Sequence, residues 1–562
     1  PRVPYLLLPK VITQFQMDMI NELDVATQLL NDALDRYTKA CSNIREHCQL
    51  GIRAEPFSPE LTDRVLQELS LATSYETEIQ YPKAVASWAN NLTSATRGRS
   101  INSLPVEILV RIFTLVCTMR PCPRSTKYIH TPSFKQPTFI KNPVVLSHVC
   151  SHWRHIAINS GNLWSHIDLV PHQFHVKRLS MRANTYLARA SQSLLEIHIE
   201  DPTSLITISP KTNKYSKLIE FLAAVAARTW SMTIIIQDKP HKGGLFYRIL
   251  SVCLNNCVPG TLTQLSIAVP SDSADPNLTG EGGLWMELPE ATAEALWLPV
   301  TVLRLKNFFP YLSSNMFHGL EELYLVSDSR TIAISELDLV LVLTSNPKLR
   351  VFQISFDIVD YSDNDTPVAP IHLDYLERLL LKSHKPQLDI FLRLIAPGSR
   401  PLSLSIRDSW SSSRESPPAF GPSSEIGSFF ARSNVTQLVA NGFSSYSRLE
   451  ELLSMAPSVR ILALVGCRCS HVEGGDISSP TTLDELYITV STRFGSFAWS
   501  CLEQMVQKYS VCKLTLWWYD FRFGGYGSRG LGNVPDNLYT VCPRVTVLSD
   551  KDPDPIQKLE WA

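Results

Sequence analysis

The chain has 562 residues, 44 % of them hydrophobic and only 19 % charged, and its 52 basic residues nearly balance 53 acidic ones for a net charge of −1. That length exceeds one ordinary core and implies several units or an elongated repeat array, while the apolar content argues against long disorder. The even charge gives no electrostatic case for nucleic acid or an anionic membrane.

No apolar run approaches the roughly 18–20 residues of a membrane span. The opening "PRVPYLLLPKV" has no h-region or cleavage site of a secretory signal and no Met, as expected of a truncated or processed start. Twelve cysteines are scattered, the closest groupings being Cys117/Cys122, Cys253/Cys257 and Cys467/Cys469, with no paired Cys-x-x-Cys array. A reduced intracellular protein is the simplest reading, with cytoplasm and nucleus both open.

Residues 20–48 carry Ile20, Leu23, Thr27, Leu30, Leu34, Tyr37, Cys41, Ile44 and Cys48 at alternating spacings of three and four. This heptad-like seam predicts a long helix. A second helix is expected from about Glu60 to Thr96, after Pro56 and Pro59 and interrupted at Pro82. The pair reads as an intramolecular helical hairpin over residues 1–98, with a dimerising coiled coil as the alternative.

"INSLPVEILVRIFTLV" (101–116) predicts a short amphipathic helix. Pro105 suits its first position and Glu107 its positive dipole end. Ile108, Leu109, Ile112, Phe113, Leu115 and Val116 form a broad apolar face. A helix this short cannot bury such a face alone, so part of it must meet another helix, in this chain or a partner. Pro121, Pro123, Pro132, Pro137 and Pro143 mark residues 120–143 as a loop. Helical spacing resumes at Val145, Leu146, Val149, Trp153 and Ile156, and Gly161 ends that helix.

From about residue 164 the rhythm changes. Apolar residues at i, i+3 and i+5 recur in "WSHIDL" (164), "LLEIHI" (194), "LTQLSI" (262), "VTVLRL" (300), "LEELYL" (320) and "LRVFQI" (349). The pattern continues in "LERLLL" (376), "VTQLVA" (435), "VRILAL" (459), "LDELYI" (483) and "VCKLTL" (511), with "MTIII" (232) and "LSLSI" (402) as looser members. Starts at 320, 349 and 376, and at 459, 483 and 511, step by 29, 27, 24 and 28 residues. This is the LxxLxL signature of leucine-rich repeats. Helical stretches such as "SKLIEFLAAVAART", "SELDLVLVLTSNP", "SRLEELLSMAPS" and "FAWSCLEQMVQKY" lie between strands. The expected fold is α/β: N-terminal helices, then a curved solenoid over residues 171–562 with a parallel inner sheet and outer helices. An ordinary globular α/β domain is the alternative. Segments 268–292, 357–370, 407–426 and 522–537, with Trp285, Trp410 and Tyr526, read as insertions of the kind that crown a ligand-binding side.

Three other constellations fall short. His148, His152 and His155 stand at i, i+4 and i+7, but no acidic or further ligand lies nearby in sequence. "GYGSRG" (525–530) satisfies GxGxxG, but Pro535 follows where a dinucleotide fingerprint needs a helix. "WWYDFRF" (517–523) alternates aromatic and basic residues, yet neutral charge favours a terminal strand over base stacking. HExxH, GxSxG and Walker motifs are absent, no nucleophile–base pair emerges, and no cofactor, metal or catalytic residue is expected. An unrecognised hydrolase would need a buried polar pocket with convergent titratable groups.

Taken together, "LPVEILVRIF" (104–113) and "LSHVCSHWRHIA" (146–157) resemble the two halves of an F-box. The first matches the family's opening at Leu104, Pro105, Glu107, Ile108, Leu109, Ile112 and Phe113; the second matches its core at Val149, Cys150, Trp153 and Arg154. "NLWSHIDL" resembles the exit from the F-box in large fungal families with irregular leucine-rich repeats. The resemblance places an F-box at residues 99–170, and residues 120–143 stand where the family has a shorter connection. It implies a non-catalytic substrate receptor of an SCF-type ubiquitin ligase. Such a chain docks on a Skp-type adaptor, and through it on cullin and a RING subunit, while the repeats hold a protein substrate. The implied adaptor contacts are Leu104, Pro105, Ile108, Leu109, Ile112, Phe113, Leu146, Val149, Cys150 and Trp153. The rival is a repeat scaffold whose F-box-like helices are only a cap.

Overall fold

The computed structural model describes residues 8–51, 59–96, 101–118, 142–171, 177–201, 215–236, 244–269, 296–309, 315–328, 333–359, 369–383, 388–408, 424–441, 446–465, 482–491, 499–519, 535–548, 552, 554–556 and 559. The expected insertions, "GYGSRG" and the proline-rich stretch lie almost wholly outside these residues. The chain divides into two compact units, Pro1–Leu104 and Pro105–Ala562.

The first unit holds two long helices, α1 (Leu8–Gly51) and α2 (Pro59–Thr96), and a 3-10 turn at Ile101–Ser103. Pro59 opens α2, where its missing N–H is harmless. The helix was expected to break at Pro82 but runs through it, at the loss of one backbone hydrogen bond. The apolar seam of α1 stays at the surface, with Ile20, Leu23, Leu30, Leu34 and Tyr37 exposed. The Tyr37 hydroxyl hydrogen-bonds Glu68 of α2. Among the described residues no helix is long and apolar enough to cross a membrane.

The second unit begins with three short helices, α3 (Val106–Thr118), α4 (Asn142–Ser147) and α5 (Ser151–Asn159). Spacing alone predicts one helix through 145–156; the structure divides it in two. Cys150 is the reason. Its backbone is extended (φ −156°, ψ 172°), and its Sγ accepts the Trp153 N–H at 3.4 Å, capping α5. Gly161 does more than follow that helix. A Cβ there would stand 2.8 Å from the Ala190 carbonyl oxygen and 2.9 Å from Ser193 Oγ, so only glycine allows this backbone approach.

The strands follow as β1 (His166–Leu169), β2 (Leu195–Asp201), β3 (Thr229–Ile236), β4 (Gln264–Ala268), β5 (Val302–Lys306) and β6 (Glu322–Val326). Next are β7 (Ala333–Ser335), β8 (Val351–Ile354), β9 (Asp357–Val359), β10 (Ile371–Leu373), β11 (Arg378–Ser383) and β12 (Ile395–Pro397). The last are β13 (Leu402–Asp408), β14 (Val435–Asn441), β15 (Ile461–Val465), β16 (Glu485–Ser491), β17 (Lys513–Tyr519) and β18 (Arg544–Leu548). All except two small parallel pairs, β7–β9 and β10–β12, join one fourteen-stranded sheet in chain order. Every pairing in it is parallel, as a solenoid of strand–helix repeats requires.

Between strands run α6 (Lys177–Ala190), α7 (Ser216–Ala226), α8 (Leu245–Asn256), α9 (Glu336–Thr344) and α10 (Leu388–Arg393). Further along come α11 (Ser424–Ala431), α12 (Tyr446–Met455), α13 (Trp499–Lys508) and α14 (Asp536–Val541). The one long parallel sheet with intervening helices is the architecture of a curved repeat solenoid.

Register explains the LxxLxL spacing. Leu323, Phe352, Leu379, Leu404, Leu438, Leu462, Leu486 and Leu514 stand side by side on successive strands. Two residues on, Leu325, Ile354, Leu381, Ile406, Ala440, Leu464, Ile488 and Leu516 form a second row on the same face. Both rows are buried in one continuous core that runs from Leu109 to Cys542. Burying each Leu or Ile contributes about 1.5–3 kcal/mol, repeated from strand to strand. β18 continues the pattern with Cys542, Val545 and Val547, which the sequence reading did not identify as a repeat.

The same core accounts for cysteine behaviour. Cys253 lies within α8, and burial pushes its thiol well above the usual range, whereas Cys512 is exposed. A thiol reagent applied to the folded chain at pH 8 is expected to label Cys512 and spare Cys253, as read by peptide mass mapping. Rapid native labelling of Cys253 would contradict this burial.

Candidate functional site

The three-helix start of the second unit is the first candidate. α3 is apolar around most of its circumference, so burial, not residue type, separates its roles. Leu109 and Phe113 are 0 % exposed and Leu146 of α4 is buried with them. The Phe113 ring meets the Trp153 ring of α5 at 4.7 Å and 52°. Ile112 and Trp153 are half-buried against the same core, and half-buried Cys150 is occupied as the cap of α5. Arg154 Nε donates to the Ser147 carbonyl at 3.0 Å, fastening α5 to α4. Trp164 then locks the helices to the solenoid: its Nε1–H donates to the Ala157 carbonyl at 2.7 Å, and its ring stacks edge-on against Tyr186 of α6 at 5.1 Å.

The sequence-derived docking set therefore divides. Leu109, Phe113 and Leu146 face the chain's own core and present nothing to a partner, because the solenoid's first repeat needs them. Pro105, Ile108 (47 % exposed) and Val149 (55 %) lie on the surface. Leu104, the last residue of the first unit, is exposed as well. Pro105 stands one residue ahead of α3, and its carbonyl accepts the Ile108 and Leu109 N–H groups, each at 3.1 Å. Val106, Leu115 and Val145 (58 %) are equally exposed and were not in that set; Val145 shows in sequence only as one more apolar position.

The second candidate is the sheet face opposite the leucine rows. Ion pairs cross between its strands: Arg304–Glu322 at 2.7 Å, Lys306–Asp328 at 2.9 Å and Lys513–Glu485 at 2.9 Å, with Tyr487 also bonded to Glu485. A small apolar island of Tyr324, Val351 and Leu380 interrupts them. Burial, reinforced by Glu322 and opposed by Arg304, pushes the Tyr324 hydroxyl up to about 12. Farther along, Ile556 packs on Val439 and Ala463, and Gln437 Nε2 donates to the Leu559 carbonyl at 3.0 Å. The C-terminal segment thus covers part of this face.

His148, His152 and His155 do not share a helical face. His148 sits in the turn after α4, while the other two are on α5. Among the described residues, the one group that brings three possible metal ligands together is His166, Glu196 and His198, whose donor atoms all lie within 4.8 Å. They stand at β1 and β2 on the sheet face opposite the leucine rows. Burial acts to raise the Glu196 carboxyl, but hydrogen bonds from His166 and His198 outweigh it and hold the group well below the usual carboxylate range.

No family model matches the chain, and no curated protein matches it. Among solved structures it is similar to a chain in the crystal structure of the Rad7 and Elc1 complex in yeast. That likeness has 13 % identity and a TM-score of 0.31, and covers 83 % of this chain and 97 % of the other.

Proposed function

We propose that the chain is a substrate receptor of an SCF-type ubiquitin ligase, docking on a Skp-type adaptor through α3–α5 and binding a protein substrate with its repeats. One observation carries this reading. Two separated F-box-like motifs fold onto each other, bury Leu109, Phe113 and Leu146, and still leave Ile108, Val145 and Val149 exposed. These three aliphatic side chains would supply the apolar centre that such an interface needs. Cullin and a RING subunit follow through the adaptor. The chain has no catalytic residue of its own in this reading; it raises the local concentration of substrate lysines near the charged conjugating enzyme. The sheet face opposite the leucine rows, where the ion pairs Arg304–Glu322 and Lys513–Glu485 are partly exposed, is the substrate surface. The site of action is the cytoplasm or nucleus.

Co-purification of the full chain with a recombinant Skp-type adaptor tests it, beside an Ile108→Asp, Val149→Asp variant. Wild type is expected to co-elute. The variant is expected to lose more than about 10-fold in affinity, the effect of two charges in an apolar interface core, with an unchanged circular dichroism spectrum. If wild type fails to bind, or the variant binds equally, the chain is instead a repeat scaffold with a different partner.

A further inference from the structure

The LxxLxL pattern hides its intervening positions. In "WSHIDL" and "LLEIHI" these positions hold His166, Asp168, Glu196 and His198. Parallel register sets His166 beside Glu196 and Asp168 beside His198, and strand alternation sends all four to the face opposite Ile167 and Ile197. His166 Nδ1 lies 3.0 Å from Glu196 Oε2, and His198 Nε2 lies 3.0 Å from Glu196 Oε1. The two imidazoles meet edge to face, 4.4 Å between centroids. His166 Nε2 lies 3.1 Å from Asp168 Oδ1, and Arg182 of α6 approaches the other Asp168 oxygen at 3.9 Å.

We propose that His166, Glu196 and His198 bind a divalent transition metal of the zinc class, with Asp168 orienting His166 from behind. Two imidazoles and one carboxylate are a donor set that zinc accepts, and they leave a fourth position for water. The Asp168–His166 contact is the carboxylate–histidine pairing that fixes the tautomer of a ligating histidine, here Nε2–H toward Asp168 and Nδ1 toward the metal. The site is built, since the Asp168 side chain is 1 % exposed and that of His198 4 %, while Glu196 at 33 % keeps an entry route. Charge supports a cation. Two carboxylates, Asp168 and Glu196, converge on the two imidazoles, with Arg182 3.9 Å from the outer Asp168 oxygen. Residues thirty apart supply the ligands, so binding would also tie β1 to β2 at the start of the sheet.

The experiment uses the full, untagged chain, stripped by chelator and titrated with Co2+, then with Zn2+. The expected result is one Co2+ per chain with visible d–d absorption, displaced by one Zn2+. Glu196→Gln and His198→Asn abolish the band, and Asp168→Asn weakens affinity about 10–100-fold, the size of an outer-shell loss. A His152→Ala, His155→Ala variant retains full binding. Absence of a stoichiometric band in wild type overturns the proposal and leaves a hydrogen-bonded histidine–carboxylate cluster. So does wild-type affinity in a folded Glu196→Gln chain, or loss of binding in the His152/His155 variant. Should the ligand variants fail to fold, X-ray absorption of the wild-type Zn2+ form decides. Two imidazoles with oxygen donors uphold the site, and sulfur scattering overturns it, because it would place the metal on cysteine.

Discussion

Leu109→Asp is expected to unfold the three-helix segment, while Ile108→Asp, one residue away, leaves it intact. Leu109 is 0 % exposed and belongs to the core that runs on into the solenoid. Its aspartate would be an uncompensated buried charge beside Phe113, a change costing more than about 4 kcal/mol. Ile108 is 47 % exposed in the first turn of α3, where a carboxylate also meets the positive helix end. Its change is expected to stay within about 0.5 kcal/mol. Backbone hydrogen exchange reads the difference directly: protection over 106–118 and 143–164 collapses in the first variant and persists in the second. Equal protection in both would mean that α3 does not pack as described. The contrast also governs the docking test. A charge at Leu109 would abolish adaptor binding by unfolding, which says nothing about contact; charges at Ile108 and Val149 probe contact alone.

The repeat architecture was legible because it rests on a spacing rule. Each i, i+3, i+5 segment identified in the sequence became a strand of the main sheet, and each set of apolar residues entered the same two buried rows. β18 escaped because Cys542 occupies the position that Val or Leu holds elsewhere, although it is buried in the same way. The short strands β7, β9, β10 and β12 have no periodicity to show, at three residues each. The helical segment was legible only in part. Apolar residues surround α3, so periodicity cannot say that Leu109 and Phe113 point inward while Ile108 points outward; the first repeat decides that by packing there. The break at Cys150 was hidden because a cysteine cap carries little of the signal that Ser or Asp would. The His166, Glu196 and His198 group was invisible for a different reason. Its members occupy positions that the repeat pattern leaves free, and only the parallel register of β1 and β2 brings them together.

Asn346 shows how a polar residue can matter as much as the leucine rows. It is fully buried where α9 returns toward β8. Its Oδ1 accepts the Leu320 N–H at 2.6 Å, and its Nδ2 donates to the Phe317 and Val342 carbonyls, each at 2.6 Å. One amide side chain thereby satisfies three backbone groups from two successive repeats. The preceding turn depends on the same place: Gly319 adopts φ +72°, and its N–H donates to the Ser345 carbonyl. Asn346→Leu keeps the volume and removes all three bonds, stranding one N–H and two carbonyls. At about 1–3 kcal/mol for each of the three buried unsatisfied groups, the expected loss is roughly 3–9 kcal/mol. Asn346→Asp should be worse, since it keeps an acceptor for Leu320 but turns a charged oxygen toward two carbonyls. Because a solenoid is stabilised repeat by repeat, the damage should begin locally. Hydrogen exchange should rise first over 315–326 and 336–354 while strands β14–β17 stay protected, and the urea midpoint of that segment should fall in the order wild type, Leu, Asp. Uniform loss of protection across all strands would instead mean that the sheet unfolds as one cooperative body. Unchanged protection would mean that the three bonds contribute nothing net.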